Sequence, residues 1–68
     1  MVLLEANLDD MSGEFFGYAL EKVFAAGAAD VWMTPIVMKK NRPAVMLSAL
    51  AGHEQADAVA EAILTHTT

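Results

Sequence analysis

A proline interrupts the most strand-like segment of the chain, and that residue limits how a sheet can be built from it. Asp30 to Met38 is rich in Val, Trp, Met, Thr and Ile, yet it carries Pro35. Proline has no N–H to give to a ladder, so this strand belongs at a sheet edge or carries a bulge. Val2 to Leu8 is the first strand: Val2, Leu4, Ala6 and Leu8 fall on one side, and Leu3, Glu5 and Asn7 on the other. That is the period-two pattern of a half-buried strand. The polar Lys39-Lys40-Asn41-Arg42 stretch ends in Pro43 and reads as a hairpin connection into a third strand, Ala44 to Leu50.

Two helices separate and follow these strands. Asp9, Asp10 and Ser12 supply capping oxygens, with Ser12 the preferred cap, ahead of Phe16, Leu20, Val23 and Gly27 at helical spacing. Glu14, Glu21 and Lys22 take the wet face, and Gly27 ends the helix in a left-handed conformation. Ala56, Val59, Ala60, Ile63 and Leu64 form the apolar stripe of a second helix, opened near Gly52 to Glu54. The order βαββα is the split βαβ of a ferredoxin-like α+β fold, with the final strand missing or supplied by a partner chain. The third strand then lies antiparallel between the first and second, which puts Pro35 at an edge. The first strand exposes the other edge, so a homo-oligomer through that edge or the open sheet face is expected.

Composition sets the scale. With 68 residues the chain is a single small domain, read here as a ferredoxin-like fragment (1–68) of a longer protein, with stability on the order of 3 to 10 kcal/mol. Hydrophobic residues are 56% and charged ones 19%, more apolar surface than so small a body can readily hide. There is no cysteine, which excludes disulfides and thiolate metal sites. Nine acids against four bases leave a net charge of −5, which disfavours nucleic-acid partners. No apolar run approaches a membrane span and no signal peptide is evident, so a soluble cytoplasmic protein is expected. No P-loop, metalloprotease or serine-hydrolase motif is present.

Three of the four basic residues are Lys39, Lys40 and Arg42. In the inferred topology their hairpin shares one end of the sheet with Asp9, Asp10, the N-terminus of the first helix and His66. Cations, helix N–H donors and carboxylates together make a phosphate cradle with room for a magnesium-type ion. Each part also has a plainer account. Asp9 and Asp10 can simply cap a helix, Glu14 can be an ordinary first-turn acid, and Lys-Lys-Asn-Arg can be a solvated hairpin tip. His53 and His66 read as surface histidines, and Trp32, Met33, Met38 and Met46 as packing residues. Glu5, midway along an apolar strand, calls for a partner.

Two blocks, Leu4-Glu5-Ala6-Asn7-Leu8-Asp9-Asp10-Met11-Ser12 and Thr34-Pro35-Ile36-Val37-Met38-Lys39-Lys40-Asn41-Arg42-Pro43, make the chain similar to the C-terminal region of the LarC family, the nickel-insertion proteins of the nickel-pincer nucleotide cofactor. Ala6, Gly13 and Ala44 depart from the family pattern. The resemblance implies part of a CTP-dependent cyclometallase, a lyase that inserts nickel into a pyridinium bis-thiocarboxylic acid mononucleotide. It implies nucleotide binding by Lys39, Lys40, Asn41 and Arg42. It also implies a magnesium or manganese ion on Asp9 and Asp10, with Glu5 or Glu14 in support. The family protein is several times longer, so the remainder of that protein is an expected partner and the isolated segment is expected to lack insertion activity. The competing reading is a non-catalytic ferredoxin-like module for oligomerisation or small-ligand binding. An RNA-binding module ranks third, because only Trp32 is available for stacking on a strand.

Overall fold

The computed structural model describes residues 1–8 and 13–67. The elements are β1 (Val2–Leu8), α1 (Gly13–Ala25), β2 (Asp30–Met38), a 3₁₀ turn (Lys39–Asn41), β3 (Arg42–Ala51) and α2 (Ala56–Thr67). The three strands form one antiparallel sheet in the order β1-β3-β2. This is the expected α+β, βαββα arrangement. Pro35 lies on the outer strand, opposite Val45. The register runs without a step from Asp30 opposite Leu50 to Met38 opposite Arg42. The edge position alone therefore accommodates the proline, and no bulge is needed.

Alternation decides which side of the sheet the helices cover. Leu4 and Ala6 of β1 pack against a core of Leu8, Val23, Val31, Leu47, Ala49, Ala51, Val59 and Ile63. Leu3, Glu5 and Asn7, on the opposite side of the strand, are exposed. Phe16 and Leu20 of α1 and Ala62 of α2 complete the apolar layer. Glu5 thus faces solvent on the sheet face away from the helices, and its charge needs no buried partner.

Several boundaries differ from the sequence expectation, each for a local reason. β3 begins at Arg42 and ends at Ala51, longer at both ends than Ala44 to Leu50. Pro43 stands opposite Val37 inside the ladder. α1 ends at Ala25, and Gly27 closes it two residues later with φ +114°. The Gly27 N–H donates to the Phe24 carbonyl at 3.0 Å, and the Ala29 N–H donates to the Leu50 carbonyl at 2.7 Å, feeding the chain into the sheet. α2 begins at Ala56 because Gly52 to Gln55 forms a turn, with the Gln55 N–H donating to the Gly52 carbonyl at 3.0 Å. The Gln55 carbonyl then accepts the Val59 N–H at 2.9 Å, which places Gln55 at the helix cap. The capping roles expected of Asp9, Asp10 and Ser12 lie outside the described residues. Among the described residues no helix is long and apolar enough to cross a membrane.

Candidate functional site

The connection between β2 and β3 holds the basic residues in an unusual backbone conformation. Met38 is extended, at φ −95° and ψ −176°. Lys40 then adopts φ 62° and ψ 31°, and Asn41 adopts φ 59°. The Arg42 N–H donates to the Lys39 carbonyl and closes the turn. Two successive positive φ angles match the right-handed twist of the flanking strands, as in the mirror-image turns common in hairpins. Asparagine tolerates this region, whereas a lysine there carries a penalty of roughly 1 to 2 kcal/mol. Lys39, Lys40, Asn41 and Arg42 are all exposed. Three cationic side chains and an amide are therefore fanned around one tight turn.

Strand directions place this turn, the C-terminal end of β1, the start of α1 and the end of α2 at one end of the molecule, as the sequence expectation had it. They do not sit level. Leu8, the last residue of β1, pairs with Val45, so the turn stands beyond the end of β1. Glu14 is exposed in the first turn of α1, in the helix layer. Glu5 pairs with Ser48 on the other side of the sheet. Asp9 and Asp10 lie outside the described residues. Among the described residues no group of three or more His, Asp or Glu side chains is placed to hold a metal ion.

His66, read from the sequence as a surface histidine, is half-buried and has an aromatic neighbour. Its ring meets Tyr18 edge-on at 5.4 Å, Tyr18 meets Phe15 edge-on at 6.3 Å, and Lys22 Nζ lies 5.4 Å from the Tyr18 ring centre. Phe15, Tyr18 and Lys22 are spaced i, i+3, i+7 along α1, a spacing that marks one helix face in the sequence. What sequence could not supply is the end of α2 brought against that face. Trp32, expected in packing, is partly exposed on the open sheet face, while Met33 packs against the core.

Similarity to known proteins bears on the whole chain. The family model described as "Nickel insertion protein" matches residues 1–68. The chain is 48% identical over 67 residues to the pyridinium-3,5-bisthiocarboxylic acid mononucleotide nickel insertion protein of Thermotoga petrophila, covering 98% of this chain and 17% of that protein. It is 47% identical over 66 residues to the protein of the same name from Acetivibrio thermocellus, covering 97% of this chain and 16% of that protein. The chain thus spans about a sixth of the length of these relatives. Among solved structures it resembles LarC2, the C-terminal domain of a cyclometallase involved in the synthesis of the NPN cofactor of lactate racemase, in its apo form. That match has a TM-score of 0.89 and 47% identity over 97% of this chain and 46% of that one. The family-model match along its full length, and relatives at this identity, show that the chain belongs to the nickel insertion protein family.

Proposed function

We propose that this domain is the CTP- and divalent-metal-binding portion of a longer nickel-insertion protein that assembles the nickel-pincer nucleotide cofactor. One observation supports the reading above others. In a chain with nine acids and four bases, three bases converge on one turn whose lysine and asparagine both have positive φ. Lysine and arginine side chains at such a tip neutralise phosphate oxygens and bind them through charge-assisted hydrogen bonds. Asn41 offers both a donor and an acceptor to the same group.

A magnesium or manganese ion would bridge phosphate oxygens, since hard cations take oxygen ligands. Asp9 and Asp10 are the carboxylates offered for it. Glu14 stands four residues after Asp10 in the chain. Glu5 is on the opposite side of the sheet from Glu14, so only one of the two can join the same ion. Nickel is cargo in this reading, delivered to the cofactor by the longer protein.

A second reading, a module that holds subunits together, draws on the open sheet face, where Leu3 is 52% and Trp32 39% exposed. Amide shifts followed by NMR during titration with CTP and magnesium, against ATP, separate the two. Shifts centred on Lys39 to Arg42 and Asp9 to Glu14, stronger with CTP and diminished in Lys39→Ala, are expected. Full CTP affinity in Lys39→Ala removes that lysine from the site. No response from a folded chain favours the assembly module.

A further inference from the structure

We propose that Glu5, Ser48 and Trp32, one row across the open face of the sheet, receive the guanidinium or ammonium group of an arginine or lysine side chain from a polypeptide segment outside these 68 residues. The inference is independent of nucleotide binding. It concerns the sheet face away from the helices, and it assigns Glu5 to an organic cation rather than to a metal ion.

Register fixes the row. Ser48, on the central strand, stands opposite Glu5 of β1 and opposite Trp32 of β2. Its chain neighbours Leu47 and Ala49 are both in the core, so alternation turns Ser48 to the face that the helices leave uncovered. Directly opposed side chains on adjacent strands share a face, which sets a carboxylate, a hydroxyl and an indole side by side. Neighbouring strands are about 4.8 Å apart, so the Glu5 and Trp32 backbones are roughly 10 Å apart with Ser48 as the floor between them. Glu5 is exposed and Trp32 is 39% exposed, whereas Ser48 is fully buried, with no partner for its Oγ among the described residues. A buried hydroxyl without a partner is unfavourable in the isolated chain. Departures of this kind from good packing are concentrated where a protein meets a ligand.

The chemistry of the row selects a cation. A carboxylate attracts positive charge, an indole face attracts it through its quadrupole, and a serine oxygen accepts from its N–H donors. An anion would be repelled by Glu5, and a wholly apolar partner would leave both the Glu5 charge and the Ser48 hydroxyl unpaired. On the same face Leu3 is 52% exposed, and Leu50 and Met46 are half-buried. They offer an apolar bed for the methylene stem of such a side chain. Among the described residues the chain's own bases stand elsewhere. Lys22 is on α1, across the sheet, and Arg42 is six residues from Ser48, roughly 20 Å along β3. Lys39 and Lys40 lie beyond Arg42. The cation therefore comes from outside, and the relatives have the length to supply it: this chain covers 17% of the Thermotoga protein and 46% of the LarC2 chain.

Trp32 is the single tryptophan of the chain, so its fluorescence reports the row directly. The probes are a capped leucyl-arginyl-leucine peptide and its citrulline counterpart, which keeps the shape and loses the charge. Saturable binding of the arginine peptide is expected, about tenfold or more weaker for the citrulline peptide and in Glu5→Gln, and weaker in Ser48→Ala. Circular dichroism confirms that each variant is folded. Lost affinity together with raised stability in Ser48→Ala is a result that a purely structural serine would not give. Equal affinity for the two peptides, or for the parent and Glu5→Gln, overturns the proposal, as does a folded chain that gives no response. Methylguanidinium bound as tightly as the peptide overturns the polypeptide source in favour of a free organic cation. A Trp32 spectrum that shifts with the chain's own concentration, and no longer answers to peptide, overturns it in favour of a second copy on that face. Intact peptide binding with no CTP response counts against the nucleotide reading alone.

Discussion

Gly27 and Gln55 abut where the turn after α1 meets the turn before α2: a Cβ on Gly27 would stand 2.8 Å from Gln55 Cγ and 3.2 Å from Gln55 Cβ. Gly27 also has φ +114°, a conformation that side chains strongly disfavour. Gly27→Ala should therefore lose about 1 to 3 kcal/mol, read as a lower urea midpoint with unchanged slope. A midpoint equal to the parent's would mean that the turn can move away from Gln55.

Ser48 lies at the centre of the sheet, opposite Glu5 on one side and Trp32 on the other. It is fully buried, and among the described residues its Oγ has no hydrogen-bond partner. Dehydrating a hydroxyl without pairing it is unfavourable by about 1 to 3 kcal/mol. Ser48→Ala should accordingly raise stability by about 1 kcal/mol. A loss of stability on thermal unfolding would show that the hydroxyl is paired in solution.

Lys40 carries the left-handed penalty without glycine's freedom. Lys40→Gly removes a strain of roughly 1 to 2 kcal/mol and adds a backbone entropy loss of roughly 0.5 to 1 kcal/mol. The expected result is a slightly higher unfolding midpoint together with weaker CTP binding. That opposition would mark Lys40 as kept for its charge rather than for the turn. A gain in both would assign it neither role.

Leu47 is the largest fully buried side chain and sits on the central strand. Truncation to alanine removes about 2 to 5 kcal/mol in comparable cores, from a total on the order of 3 to 10 kcal/mol. Leu47→Ala should therefore lower the urea midpoint by the equivalent of about 2 to 5 kcal/mol, the largest fall among the variants named here. A fall of less than about 1 kcal/mol would show that the helices close over the cavity.

Much of the fold was legible because its signals are local. The alternation of Val2 to Leu8 shows in the burial of that strand, and Pro35 announces an edge. The Lys39 to Arg42 turn was recognisable from composition, and the turn-forming chemistry of Asn41 agrees with its φ of 59°. The ends of β3 were not legible. Arg42 and Pro43 look like loop residues, and only pairing with Met38 and Val37 makes them strand. The candidate site was readable as a list of residues rather than as a place. Glu5 and Glu14 are equivalent carboxylates in the sequence, and the structure sets Glu5 on the open sheet face and Glu14 in the helix layer.

Read alone, the sequence carries the order of elements, the edge position of β2 and the gathering of three of the four bases into one turn, because periodicity, a missing N–H and residue type are properties of neighbours along the chain. Tertiary structure decided that Arg42 and Pro43 pair as strand with Met38 and Val37, that His66 meets Tyr18, and that Ser48 is buried with no partner for its hydroxyl among the described residues. Those facts depend on register and on the docking of α2, which arise from contacts between residues far apart in the chain.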